Sequence, residues 1–391
     1  MTMHELKAGV IGTGFIGPVH VEALRRLGVH VTALCDLPGR AAEAARRLGI
    51  AEAYGDYREL LRSPNVDVVH IASPNRCHLE MALATLRAGK HCVCEKPLAL
   101  NTRETAAVVA AAQRAAADGQ VFAVNYNVRF YPAVLQLRQS VRRGDLGDII
   151  HVNGSYFQDW LLKDTDYNWR LLPNEGGKLR AVADIGTHWL DTVSFILGTR
   201  LRSVLADLAT FHQTRRRPLG EVATFARTDA AIKYAAYRVR TEDHANVLLE
   251  FNNGTRGNLA VSQVAAGRKN CLRLELYGSR QAAWWCSEEP DRLEFGSRDG
   301  ANQVAARGTP PFGPEIAPYL DYPAGHVEGF PDTFKMTFRS VYGAIVAQTN
   351  NQTQPPECLH ATAADGHHEV AVCEAILQSH RARAWVRVHA C

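Results

Sequence analysis

The sequence predicts an α/β Rossmann-type domain, a doubly wound parallel sheet, followed by an α+β domain with a large open, mainly antiparallel sheet. Three observations carry this reading. Up to Asn125, short β-rich runs alternate with helical stretches. The first run leads straight into Gly12-x-Gly14-x-x-Gly17 and a helical pattern. Beyond Asn125 the alternation gives way to strand-like runs separated by turns such as Asn252-Asn253-Gly254. The domains are therefore placed at 1–125 and 126–391.

In the first domain, strands are expected at 7–11, 29–35, 51–54, 66–72, 91–94 and 121–125, with helices such as 40–48 and 102–117 between them. Such a βαβ series makes a parallel sheet whose ligands sit at the carboxyl ends of the strands. Gly12 permits a tight turn, Gly14 admits a pyrophosphate to the backbone, and Gly17 lets the helix pack close to its strand. Phe15 and Ile16 open that helix, where backbone N–H groups and the helix dipole favour an anion. The second strand ends at Asp36, where a carboxylate accepts hydrogen bonds from the adenosine ribose. Its charge repels a 2′-phosphate and favours NAD over NADP, although Arg40 stands close by in sequence. Ser73-Pro74-Asn75, Glu95-Lys96-Pro97 and Asn125 fall at the ends of later strands and converge on the same crevice.

In the second domain a helix at 131–143 precedes a strand at 149–158. Strands follow at 203–211, 245–251, 255–264, 271–277 and 282–286. Helices at 332–348 and 363–380 are expected to cover parts of that sheet, and 299–325 to form a long Gly/Pro-rich loop. An open sheet of this size implies a partner for its exposed face, hence a homodimer or homotetramer.

Composition narrows the classes. A chain of 391 residues, 46% hydrophobic, supports two packed cores. It contains no apolar run approaching the ~18 residues of a membrane span, and its first residues lack a secretory pattern, so a cytoplasmic protein is expected. A net charge of +4 with interspersed signs leaves no footprint for nucleic acid. Nine scattered cysteines without a Cys-x-x-Cys spacing argue against disulfides and thiolate zinc; Cys92 and Cys94 are assigned to the core, and no metal is expected. Arg215-Arg216-Arg217 reads as a solvated loop, and His367-His368-Glu369 as an exposed helix face.

Several residues are placed for chemistry. Pro97 confines Lys96 to extended backbone, so its ammonium either faces the crevice and a substrate hydroxyl or pairs with Glu95. In Asp184-Ile185-Gly186-Thr187-His188-Trp189-Leu190-Asp191, helical spacing aligns Asp184, His188 and Asp191 on one face. An imidazole beside a carboxylate suits proton transfer near neutral pH, which makes His188 the candidate base. The alternative is a surface ion pair or a capped core histidine. The segment 160–170, with Asp166, Trp169 and Arg170, is dense in the aromatic and hydrogen-bonding groups that orient polyhydroxylated ligands; two tryptophans in the core are the other reading. Pocket shape is assigned to segments 156–180 and 299–330, which bring in Tyr156 and His326.

Together these motifs resemble the glucose-fructose oxidoreductase / inositol dehydrogenase / rhizopine catabolism (Gfo/Idh/MocA) family. The pattern is Gly12-x-Gly14-x-x-Gly17, Ser73-Pro74-Asn75-x-x-His78, Ala88-Gly89-Lys90-His91-x-x-x-Glu95-Lys96-Pro97 and Asp184-x-Gly186-x-His188-x-x-Asp191. The resemblance spans nearly the whole chain. It implies pyridine-nucleotide-dependent oxidation or reduction of sugars, polyols and related molecules, in an oligomer built on the second sheet. With Asp36, the converging motifs lead us to expect a dehydrogenase that uses NAD to oxidise a secondary hydroxyl of a sugar, glycoside or cyclic polyol to a ketone. By position, Lys96 would bind the reacting hydroxyl, Asp184 would orient the substrate, and His188 would take the proton. Asn75, His78 and Glu95 match positions on the nicotinamide side. The approach to Asp184 departs from the pattern, with Lys178 and Arg180 where many members carry small residues. A nucleotide-binding sensor without chemistry, or an enzyme that retains its cofactor with no net redox, are the alternatives.

Overall fold

A computed structural model describes residues 1–219, 233–352 and 357–389. The chain divides into two compact units, Met1–Asn127 with Phe330–Val370, and Val128–Gly329 with Ala371–Ala390. No helix among the described residues is long and apolar enough to cross a membrane.

Unit one alternates β1 (Lys7–Ile11), α1 (Ile16–Arg26), β2 (His30–Cys35), α2 (Pro38–Leu48), β3 (Glu52–Tyr54) and α3 (Tyr57–Arg62). It continues through β4 (Val68–Ile71), α4 (His78–Arg87), β5 (His91–Cys94), α5 (Thr102–Ala117) and β6 (Phe122–Val124). The strands form one parallel sheet in the order β3-β2-β1-β4-β5-β6, which reverses direction between β1 and β4. Both faces are buried, as a parallel sheet requires. Val10, Leu34, Val68 and Val93 turn to one core, and Ile11, Val69, Ile71, Cys92 and Cys94 to the other.

The helix Phe330–Thr349 belongs to this unit, against the expected domain range 126–391. Its Phe334, Phe338, Val341, Tyr342 and Ile345 pack with Leu6, Val10 and Leu24, so its apolar face covers the parallel sheet rather than the second one. The first part of the helix Ala363–Ala382 joins the same unit, and His367, His368 and Glu369 are buried there, not exposed. His367 Nδ1 lies 2.6 Å from Thr105 Oγ1.

Unit two opens with α6 (Pro132–Arg143) and β7 (Ile149–Phe157), then α7 (Pro173–Gly176) and α8 (Thr187–Leu197). β8 (Leu201–Ala209), β9 (Thr214–Pro218), β10 (Tyr234–Arg238), β11 (His244–Phe251) and β12 (Arg256–Ser262) follow. β13 (Cys271–Gly278), β14 (Ala282–Cys286), β15 (Arg292–Gly296), β16 (Gln303–Ala306) and β17 (Val386–Arg387) complete it. Nine of these strands form a sheet in the order β16-β15-β14-β13-β7-β12-β11-β8-β17, antiparallel except for the pair β7 and β12. α8 lies on its buried face: a Cβ at Gly154 of β7 would come within 2.2 Å of Trp189 Nε1, which donates to Arg273 O at 2.8 Å. The stretch 299–325 holds β16 and a 3-10 turn, Pro314–Tyr319, and is not one long loop. β9 and β10 pair as a separate ribbon, which brings Arg215 into a strand with its side chain fully buried.

Candidate active site

In unit one the cofactor edge is built around the loop from β1 to α1. Gly12 has φ +98°, and a Cβ there would meet Ala72 O at 2.5 Å; one on Gly17 would meet Gly12 O at 2.0 Å. At Gly14 a Cβ would find nothing within 4 Å, so the chain leaves open space where a phosphate approaches the backbone. The cap position of α1 is Phe15, whose side chain has no acceptor to offer the first turn. Asp36 braces this loop: its Oδ2 accepts from Thr13 N and Thr13 Oγ1, both at 2.7 Å, and its Oδ1 from Leu37 N at 2.7 Å.

On the other side of the switch, His78 ties two strand ends together. Its fully buried ring lies 2.9 Å from Ser73 O and 2.8 Å from Pro97 O, and burial holds its pKa below the usual imidazole value. Asn75 and Glu95 are buried at the same edge, and Lys96 is half-buried. Asn125 Nδ2 donates to Glu95 Oε1 at 2.5 Å, while its buried Oδ1 has no hydrogen-bond partner among the described residues. An open glycine cradle, an acid at the end of β2 and an acceptor left over at the opposite half are what a dinucleotide needs from a protein.

In unit two the informative helix is not regular. Val182–Gly186 is π-helical before α8 begins, and Asp184 sits inside that wider turn. Arg180 N and Val182 N donate to the Glu242 carboxylate at 2.9 Å, which fixes the start of the segment. Asp184 Oδ1 lies 3.0 Å from Arg170 Nε, and its Oδ2 accepts from Gln263 Nε2 at 2.8 Å. Gln263 Oε1 in turn accepts from Arg180 Nη1 at 3.2 Å. Arg180, in the departure noted above, is fully buried and paired with Asp243, which also holds Arg215 Nη2 at 2.9 Å.

His188 is 9% exposed, with the Tyr156 ring edge-on at 6.4 Å. Tyr156 Oη donates to Asn270 Oδ1 at 2.8 Å, and Gln158 Nε2 reaches the same oxygen at 2.7 Å. The Arg170 guanidinium stacks on Trp169 at 4.4 Å, so that ring orients Arg170. The structure thus brings Tyr156, Trp169, Arg170, Asp184 and His188 into one cluster. Asp191 is turned to another task, a buried ion pair with Arg129 at 2.5 Å. Asp166 closes a turn by accepting from Lys163 N at 2.7 Å. His326 lies exposed in a loop whose carbonyl Arg307 holds.

Sequence reasoning missed Gln263, Asn270 and Gln158, isolated amides in or beside strands with no motif around them. It also missed Cys271, Cys286 and Glu288, whose ligand atoms lie within 4.8 Å of one another on β13, β14 and the turn beyond.

Residues 6–126 match the oxidoreductase family with an NAD-binding Rossmann fold, and residues 134–284 match the GFO/IDH/MocA C-terminal domain. The chain belongs to the Gfo/Idh/MocA oxidoreductase family. It is 29% identical to a levoglucosan dehydrogenase of Pseudarthrobacter phenanthrenivorans over 99% of each chain. It is 30% identical to an inositol 2-dehydrogenase/D-chiro-inositol 3-dehydrogenase of Lactiplantibacillus plantarum over 48% of this chain and 51% of that one. A solved levoglucosan dehydrogenase in complex with NADH and L-sorbose superposes with a TM-score of 0.84 at 27% identity, over 99% of each chain. This family member is therefore an NAD-dependent oxidoreductase acting on CH–OH groups.

Proposed function

We propose that the protein oxidises a secondary hydroxyl of a sugar, glycoside or cyclic polyol to the ketone. The observation that carries this reading is Asp184, held by Arg170 and Gln263 one helical turn before His188, in a chain of this family. NAD, when bound, supplies the hydride acceptor. With donors on both oxygens, Asp184 stands as a carboxylate and accepts from a substrate hydroxyl. His188 takes the proton of the reacting hydroxyl as the carbinol hydride departs, and the Lys96 ammonium hydrogen-bonds the same oxygen and lowers its proton affinity. Arg170, stacked on Trp169, keeps Asp184 in place while substrate binds.

The test is a screen of levoglucosan, myo-inositol, free hexoses and glycosides with NAD, following reduced cofactor. Reduction with at least one sugar or polyol is expected. Tight cofactor binding without reduction across the panel would favour a sensor. Cofactor that co-purifies and never exchanges would favour chemistry with no net redox. We place the protein in the cytoplasm as a homodimer or homotetramer formed through the open face of the nine-stranded sheet, where Leu248 is 48% exposed. Sedimentation of the protein and of Leu248→Glu tests that assembly.

A further inference from the structure

Behind the cofactor edge, unit one carries a run of buried polar side chains that the chemistry above does not use. Glu95 Oε1 lies 3.0 Å from His20 Nε2, His20 Nδ1 lies 3.1 Å from His70 Nδ1, and His70 Nε2 lies 3.0 Å from Tyr342 Oη. His20, His70 and Tyr342 are fully buried and come from α1, β4 and the helix Phe330–Thr349. The Phe338 ring packs 4.8 Å from His20 and 4.7 Å from His70. Polar groups in such a setting persist when each hydrogen has an acceptor.

With Glu95 ionised, two arrangements of hydrogens satisfy the run; a protonated Glu95 would instead donate to a bare His20 Nε2. With both imidazoles neutral, Tyr342 donates to His70 Nε2, His70 Nδ1–H donates to His20 Nδ1, and His20 Nε2–H donates to Glu95. With one added proton, His20 Nδ1–H donates to His70 Nδ1, and His70 Nε2–H donates to the Tyr342 oxygen. In both of these, His20 Nε2 carries a hydrogen and gives it to Glu95. Asn125 Nδ2 adds a donor to Oε1 at 2.5 Å, and Lys96 N meets Oε2 at 3.3 Å. Burial would push the Glu95 carboxyl up, but the hydrogen bonds from His20 and Asn125 and the Lys96 charge oppose it and hold the pKa below the usual carboxylate value.

Glu95 follows β5, beyond the reversal between β1 and β4, whereas Asp36 follows β2 on the adenosine side. Glu95 therefore stands at the nicotinamide half of the edge. We propose that the buried run Tyr342–His70–His20 holds Glu95 as a carboxylate there, and that this fixed negative charge sets the preference for oxidised over reduced cofactor. The oxidised ring is a cation and is drawn to the carboxylate; the reduced ring is neutral and is not.

The inference rests on nucleotide binding, not on the sugar chemistry, and its test needs no substrate. The unmodified protein, Glu95→Gln and Tyr342→Phe are titrated separately with NAD+ and NADH. Glu95→Gln should weaken NAD+ about tenfold relative to NADH, as removal of one nearby charge would. Tyr342→Phe, which removes a single hydroxyl from the far end of the run, should move the ratio the same way by a smaller factor. An unchanged ratio in both variants, or an equal loss of both nucleotides, would overturn the proposal. Imidazole nitrogen spectra of the unmodified protein give a second readout that no folding defect can blur: His20 must carry its hydrogen on Nε2, and a bare Nε2 would overturn it as well. Failure of the sugar screen leaves both results standing.

Discussion

Gln263 donates to Asp184 Oδ2 over 2.8 Å, and its amide is fixed in that sense because its oxygen accepts from Arg180 Nη1. Turned over, it would set a carbonyl against a carboxylate and an NH2 against a guanidinium. Asp184 therefore meets a donor on each oxygen, Gln263 on one and Arg170 on the other. That suits an acceptor for a substrate hydroxyl and excludes a role as proton donor in this state.

Gln263→Glu keeps the shape and an oxygen for Arg180 while placing a second carboxylate against Asp184. A like charge at hydrogen-bond distance raises a carboxyl pKa, so Asp184 would take up a proton at higher pH. Below the limb that protonation of the His188 base sets, kcat/KM should show a second, steeper fall as Asp184 is protonated, and that lower break should move up by about one unit while the His188 limb and the alkaline limb stay in place. A lower break that does not move would mean that the Asp184 charge is not needed.

Asp36 both braces the glycine loop through Thr13 and stands at the end of β2. Asp36→Ser should weaken NAD by about tenfold and narrow its advantage over NADP, since the charge that repels a 2′-phosphate is gone while Arg40 remains. Initial rates with each cofactor, taken at equal concentrations, measure both effects. A preference for NAD left intact would assign discrimination elsewhere.

Asp243→Ala tests the scaffold behind the site. Arg180 and Arg215 are fully buried against this carboxylate, and removing it leaves two guanidinium groups without their shared partner. Breaking a buried pair in this way costs about 3–5 kcal/mol, read from urea unfolding. Burial pushes the Asp243 carboxyl up, but Arg180, the His212 N–H and Arg215 outweigh it and hold its pKa below the usual value. A depressed carboxylate contributes its stability above its unfolded pKa and loses it as pH falls through the folded one. The gap between wild type and variant should accordingly be widest near neutrality and narrow in acid.

Much of unit one was legible because its signals are local. Glycines at fixed offsets, an acid closing β2 and apolar runs such as Val68-Val69-His70-Ile71 mark loops and strands within a few residues. The Glu95-Lys96-Pro97 and Asp184-x-x-x-His188 segments were legible for the same reason. The helix Phe330–Thr349 was misassigned because an amphipathic pattern says that one face is apolar, not which sheet it covers. Arg215, His367, His368 and Glu369 were read as exposed because charged groups usually are. Two of them show the reason: Asp243 lies 28 positions from Arg215, and Thr105 lies 262 from His367. Gln263 and Asn270 carry no motif, so their roles emerge only when the strands are paired.

The most direct test of the central assignment uses a sugar or polyol that the screen finds to be oxidised, with NAD saturating. Single-turnover rates of cofactor reduction are compared for wild type, Lys96→Met and His188→Asn, each shown to bind NAD normally. If one residue binds the reacting oxygen and the other takes its proton, each substitution should slow the reaction by about two orders of magnitude or more. Rates within a few-fold of wild type in both variants would contradict the account.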